Sequence, residues 1–121
     1  LDAHGVPQSL EDARNHALIG VVRDSLLLQK VREGGLPVNV GDFRFRSDSD
    51  LAHLAAIRAG FGIGLCQIGI AARDPDLVRL LADGFTWDID TWVVCHEDLR
   101  NVARVRAVFD ALVEGMLAYL A

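Results

Sequence analysis

The sequence predicts an α/β sandwich with a largely parallel sheet. Apolar, strand-like runs alternate along the chain with segments that carry helix caps and helical spacing, and this alternation is typical of α/β folds. Two segments support the prediction best. The period-two run Phe43–Arg46 predicts a half-buried strand, and the apolar residues at three- and four-residue steps over Leu99–Leu120 predict a long amphipathic helix.

The first half of the chain predicts short elements that begin at recognisable caps. Ser9 opens a capping-box pattern, so we expect a short helix directly after it. The next apolar run favours a buried strand, and the run after that is compatible with a helix or a strand. The predicted elements are a connector over Leu1–Pro7, a helix over about Leu10–Asn15, a strand over Ala17–Val22, the ambiguous run Leu26–Val31, a turn at Gly34-Gly35 and the strand Phe43–Arg46.

The second half continues the alternation. Ser47–Asp50 forms a second cap, and Gly60 is placed to end the helix that follows it. The polar residues of the last helix share one side and are expected to face solvent. The predicted elements are helix Leu51–Ala59, strand Gly62–Gln67, helix Ile68–Arg73, strand Leu77–Leu81, a turn at Asp83-Gly84, strand Thr91–His96 and helix Leu99–Leu120, whose polar side carries Arg104, Arg106, Asp110 and Glu114.

Length and composition limit the class of protein. The 121 residues, 51% hydrophobic and 24% charged, suit one compact soluble domain. The apolar stretch Ala59–Ala72 contains four glycines and a glutamine and is too short to cross a bilayer. Because the chain begins with Leu1 rather than Met, we expect it to be part of a longer protein.

Charge and cysteine usage narrow the class further. The net charge of −5, with one lysine and scattered arginines, argues against direct contact with nucleic acid. Cys66 and Cys95 lie far apart in apolar surroundings, which favours free thiols in a reducing cytoplasm, although one disulfide between them stays an alternative. The four histidines lack zinc-site spacing, so no metal and no cofactor are expected.

Two motifs suggest chemistry but favour structural roles. The glycine-rich segment Gly60–Gly64 follows a helix and precedes a strand, which is the reverse of the order in phosphate-binding loops. Cys66 could act as a nucleophile with His53 or His96 as its base. Its apolar neighbours are more typical of a small core residue, so an enzyme is not expected.

Polar residues follow two of the predicted strands at the points where helices begin. Ser47–Asp50 comes after one strand and Cys66-Gln67 after another. Ligands of open α/β folds bind outside the carboxyl ends of strands, so both spots could face a small molecule. The alternative is a plain helix cap at the first spot and an ordinary loop residue at Gln67.

The order of these segments resembles the C-terminal part of the effector-binding domain of LysR-type transcriptional regulators. The residues that carry the resemblance are Asp48–Ala52, Ile57–Gly64, Pro75–Arg79, Thr91–Arg100 and Arg104–Leu112, with weaker support from His4-Gly5 and Leu10–Asp12. The resemblance implies a periplasmic-binding-protein-like α/β domain of two lobes. Residues 1–9 would be a crossover connector, 10–88 the second lobe, and 89–121 the strand and helix that return to the first lobe.

The resemblance also implies a role and a site. The chain would sense a small-molecule effector in the cleft between the lobes, without catalysis, in a cytoplasmic homodimer or homotetramer that reaches DNA through an N-terminal winged helix-turn-helix. The cleft-facing residues would be Arg46, Ser47, Asp48, Cys66, Gln67 and Ile68, and Gln67 stands where many members have proline. Since Asp48 and Asp50 bring negative charge, an acidic effector would need a cation such as Arg46.

Two other functions stay open, a lobe of an extracytoplasmic solute receptor and a cysteine-dependent hydrolase that uses Cys66. The apolar side of the predicted C-terminal helix is expected to be buried against another surface. We expect that side to pack on the second lobe, on a second copy of the chain or on residues of the first lobe.

Overall fold

The computed structural model describes residues 4–86 and 88–121. The chain divides into two units, Leu1–Thr86 and Trp87–Ala121. The first three residues of the predicted connector, and residue 87 of the predicted second lobe, lie outside the described residues. The division falls close to the boundary predicted at residue 88, and the assignment of the parts to two lobes stays a prediction.

Serine side chains begin three helices of the first unit. Ser9, Ser25 and Ser49 each accept a hydrogen bond from the backbone amide three residues further on. The predicted caps at Ser9 and at Ser47–Asp50 are thereby confirmed, and the ambiguous run after Ser25 is a helix. The elements are α1 Leu10–Ala13, β1 Leu18–Gly20, α2 Leu26–Glu33, a 3-10 turn Val40–Asp42, β2 Phe43–Arg46, α3 Asp50–Arg58 and α4 Ile68–Ala71.

The sheet is small and parallel, with β1 at its centre. β1 pairs with β2 in parallel, with Leu18 opposite Phe43. On its other side Leu18 forms an isolated parallel bridge with Ile63. The Ile63 carbonyl accepts from the amide of Ile19 at 2.8 Å, and the Ile63 amide donates to the carbonyl of Ala17 at 2.8 Å. The α/β class and the parallel direction of pairing are confirmed.

The core surrounds the central strand. All three residues of β1 are buried, as expected for a strand covered on both faces. Helix α2 adds Leu28 and Val31, and Val38 in the loop that follows is fully buried. This core holds the carboxyl end of β1, where the polar residues of interest gather.

From residue 88 onwards, the second unit consists of a segment without regular secondary structure, a short turn and one long helix. A 3-10 turn over Glu97–Leu99 precedes α5, Ala103–Leu120, so the helix begins four residues later than predicted. The predicted polar side of the helix is exposed. No residue of α5 is buried, and Leu117 is 65% exposed, so the cover expected for its apolar side stays a prediction.

Three predicted strands are corrected by the structure. Residues 77–81 form no strand, because Leu81 has φ of 51° and its carbonyl accepts the amides of Gly84 and Phe85, which turns the chain. Residues 91–96 pair with no strand among the described residues. The strand predicted over Gly62–Gln67 reduces to the bridge at Ile63. Apolar alternation alone does not make a strand, since each strand needs a hydrogen-bonded neighbour.

The bridge at Ile63 depends on a glycine next to it. A Cβ at position 62 would collide with the carbonyl oxygen of Ala17, whereas a Cβ at Gly41 would meet nothing within 4 Å. We therefore expect Gly62→Ala to lower the free energy of unfolding by about 1–3 kcal/mol and Gly41→Ala to leave it nearly unchanged. Urea unfolding of both variants checks this, and equal midpoints for the two would contradict the pairing.

Candidate functional site

The carboxyl ends of the parallel strands form one edge of the first unit. Because β2 and the Ile63 segment both pair in parallel with β1, the chain leaves all three at the same edge. Ser47 follows β2 directly, and Gln67 comes four residues after Ile63. With about 4.8 Å between neighbouring strands, the two outer strands lie roughly 10 Å apart. We call this the strand-end edge.

Ser47 and Asp48 join the loop after β2 to the loop after β1. The amide of Ser47 donates to the carbonyl of Gly20 at 3.0 Å. The carboxylate of Asp48 accepts from the amide of Val22 at 3.1 Å, and its second oxygen lies 3.5 Å from the guanidinium of Arg23. Ser47 Oγ accepts from the amide of Ser49 at 3.1 Å. These polar groups therefore hold the edge together as well as lining it.

His53 links the chain at the end of β1 to the chain at the end of β2, and we call this set of hydrogen bonds the joint. It is 7% exposed, and its Nε2 lies 2.9 Å from the carbonyl oxygen of Gly20 and 2.7 Å from that of Ser47. Both partners accept only, so the hydrogen belongs on Nε2. Nε2 is therefore occupied as a donor, and only Nδ1 of His53 is left for the role of base considered beside Cys66.

Arg46 is a second exposed cation at the edge, besides Arg23. The side chains of β2 alternate, with Phe43 and Phe45 half-buried and Arg44 and Arg46 exposed. Phe45 packs edge-on against Phe61, with ring centroids 5.7 Å apart. Neither arginine forms an ion pair with any residue in the described parts of the chain. The charge of Arg46 is thus available to a ligand.

The second predicted spot combines a thiol, an amide and an aliphatic side chain. Burial raises the pKa of the Cys66 thiol, and the nearby charge of Arg58 offsets this only in part. The thiol stays protonated near neutral pH and lies 3.5 Å from the carbonyl oxygen of Gln67. That carbonyl begins α4 by accepting the amides of Ile70 and Ala71. Gln67 is exposed, and Ile68 is 50% exposed.

Sequence reasoning missed the loop after β1. It contributes Val22 and Leu26, which are 50% and 79% exposed. The sequence did contain a signal for this loop. Ser25 caps α2, and the start of that helix shortly after β1 marks the carboxyl end of a third strand. His53 was missed as a structural residue since nothing in its local sequence reveals the two carbonyls that it meets.

A small parallel sheet with polar side chains where its strands end is an arrangement that many ligand-binding α/β domains share. The chain belongs to the LysR substrate binding domain family, whose model matches residues 1–117. This confirms the resemblance found in the sequence. Comparisons with curated proteins and with solved structures found no match.

Within residues 4–86 and 88–121, no cluster of three or more His, Cys, Asp or Glu side chains could hold a metal ion. No helix in the same ranges is long and apolar enough to span a membrane. Both cysteines are free thiols.

The joint at His53 can be tested by substitution. His53→Leu removes the donor and leaves the part-buried carbonyl of Ser47 without its partner, so we expect a loss of about 1–3 kcal/mol in the free energy of unfolding. His53→Gln retains a side-chain donor and should recover part of that loss. Urea denaturation of the two variants provides the comparison. Equal destabilisation by leucine and glutamine would show that the hydrogen bonds contribute little.

Proposed function

We propose that this chain is the effector-sensing part of a LysR-type DNA-binding transcriptional regulator. The effector is a small molecule bound in a cleft between two lobes, and the strand-end edge forms one wall of that cleft. Residues 10–88 are the second lobe, and residues 89–121 return to the first lobe. The membership in the LysR substrate binding domain family is the observation that carries the proposal.

The composition of the edge supports a role in binding. Arg46 offers an unpaired charge, Ser47 a hydroxyl and Gln67 an amide, while Ile68 offers aliphatic surface. Small-molecule sites commonly combine apolar surface with a few such polar groups. The charge of Asp48 pairs with Arg23, whereas Asp50 forms no ion pair with a described residue, so an acidic effector would need Arg46 as its cation.

The mechanism that we propose is a shift between two arrangements of the lobes. An effector that contacts both walls binds one arrangement more tightly, and only this difference in affinity can change the populations. The arrangement then alters the homodimer or homotetramer, and with it the spacing of the winged helix-turn-helix domains on DNA. The regulator works in the cytoplasm.

Two alternatives are distinguished by different observations. A lobe of an extracytoplasmic solute receptor would have the same kind of edge, and a secretion signal encoded upstream of Leu1 would favour it over a winged helix-turn-helix. A cysteine hydrolase on Cys66 has less support, because the raised pKa of the thiol disfavours the thiolate that such chemistry needs.

The role of Arg46 is testable against a matched neighbour. Arg44 lies on the same exposed side of β2 but two residues before the strand end. In calorimetry with a panel of mono- and dicarboxylates, we expect Arg46→Ala to weaken the best binder about tenfold, the effect of losing one charged hydrogen bond.

Arg44→Ala should leave that affinity unchanged. If Arg46→Ala left the affinity for every binding carboxylate unaltered, Arg46 would have no part in an effector site. If both alanine variants weakened binding equally, the effect would be one of general charge and not of the strand-end edge.

A further inference from the structure

Arg32, in the last turn of α2, joins three segments of the first unit through one guanidinium group. Its Nε donates to the carbonyl oxygen of Val38 at 2.8 Å, in the chain that leads towards β2. One Nη donates to Oδ1 of Asn39 at 3.2 Å. The other Nη donates to both carboxylate oxygens of Asp24, at 3.2 and 3.0 Å, in the loop after β1. Arg32 therefore connects the loop after β1 with the segment that precedes β2.

These hydrogen bonds suit the geometry of arginine. The guanidinium is planar and directs its donors along several fixed lines, whereas the ammonium of lysine is a point charge on a flexible stem. One acceptor is the carbonyl of Val38, a residue that is fully buried. The Arg32 side chain is itself 31% exposed, so water screens its ion pair with Asp24 only in part. The loop is thus held more firmly than by an ion pair between two fully exposed side chains.

The loop that Arg32 holds contributes the exposed side chains of Val22 and Leu26 to the strand-end edge. On the side of β2, the amide of Val22 donates to Asp48. Two residues further along, Asp24 is held by Arg32 from the last turn of α2. The loop is therefore attached on both sides, and one of the two attachments comes from a residue that does not belong to any strand end.

We propose that Arg32 is a positioning residue for the effector site, and that it keeps the loop after β1 where Val22 and Leu26 can contact the ligand. This inference rests on the proposed function, because it concerns the same site. Arg32 acts through Asp24 and does not itself touch the effector. A loop that is already held in place costs a ligand less free energy to order, so the loss of this attachment weakens binding.

Amide hydrogen exchange in the intact protein tests the loop without any ligand. The amides of Val22 and Leu28, on either side of Asp24, both form hydrogen bonds. In Arg32→Gln we expect both to exchange roughly two- to fivefold faster, as for the loss of a partly exposed ion pair. The rates are taken relative to Ile19 in the sheet, which separates a loosened loop from a general loss of stability.

Two control variants isolate the attachment of the loop. Lys30→Gln removes the same charge from α2, and Lys30 is exposed without an ion pair to any described residue. Asn39→Ala removes the hydrogen bond that Arg32 makes on the other side. Both controls should leave the relative exchange of Val22 and Leu28 unchanged.

A second variant covers the case in which Arg32→Gln does not fold. Asp24→Ala removes the attachment of the loop and leaves the bonds from Arg32 to Val38 and Asn39 in place. It should speed the exchange of the loop amides by a similar factor.

Calorimetry with the panel of mono- and dicarboxylates then tests the link to binding. We expect Arg32→Gln to weaken the best binder about two- to fivefold, because the effector must now order the side chains of the loop. Lys30→Gln and Asn39→Ala should leave the affinity unchanged. If no carboxylate bound the wild type, the proposed acidic effector site would fail before any variant was compared, and this inference would fail with it.

Three further results would overturn the role of Arg32 while the proposed function stood. Equal acceleration of Val22, Leu28 and Ile19 in Arg32→Gln would mean that Arg32 supports the whole unit and not the loop. Faster exchange of the loop with an unaltered affinity would mean that the loop takes no part in binding. Equal weakening of binding by Lys30→Gln would mean that only the overall charge matters.

Discussion

The carbonyl oxygen of Gly20 is the point on which the strand-end edge depends. It ends β1 and accepts from both the amide of Ser47 and Nε2 of His53. A strand of three residues has few ladder hydrogen bonds of its own, so its end would separate readily from its neighbour. His53 also donates to the carbonyl of Ser47, and Asp48 accepts the amide of Val22. Together these bonds turn two short strands and two loops into one fixed surface.

The hydrogen bonds of this joint occupy some of the polar side chains of the strand-end edge and leave others without a partner inside it. The charge of Asp48 is used within the edge, and so is the hydroxyl oxygen of Ser47 as an acceptor. In the proposed site, the exposed Arg46 would then favour a ligand with negative charge. The proposed mechanism also requires a fixed surface, because a wall that yielded to every ligand could not favour one arrangement of the lobes over another.

Local signals in the sequence predicted much of this structure. The serine caps, the alternation over Phe43–Arg46 and the spacing of α5 each act within a few residues, so they can be read from the chain. The strands predicted at 77–81 and 91–96 do not form. A strand needs a hydrogen-bonded neighbour, and the periodicity of the sequence does not show whether a neighbour is present. The joint at His53 was not predicted for a similar reason, because its two acceptors lie 6 and 33 residues away along the chain. At Ser47 and Gln67 the sequence indicated the strand ends, while their role in binding stays a proposal.

Amide hydrogen exchange tests the joint most directly. Exchange rates distinguish fixed segments from those that open readily. The account predicts that the amides of Ser47 and Val22, outside the ladder proper, exchange as slowly as those of Ile19 and Ile63 within the sheet. If Ile19 and Ile63 were protected while Ser47 and Val22 exchanged at the rate of an unstructured chain, the strand ends would not form a fixed surface. The proposed wall of the effector cleft would then lose its physical basis.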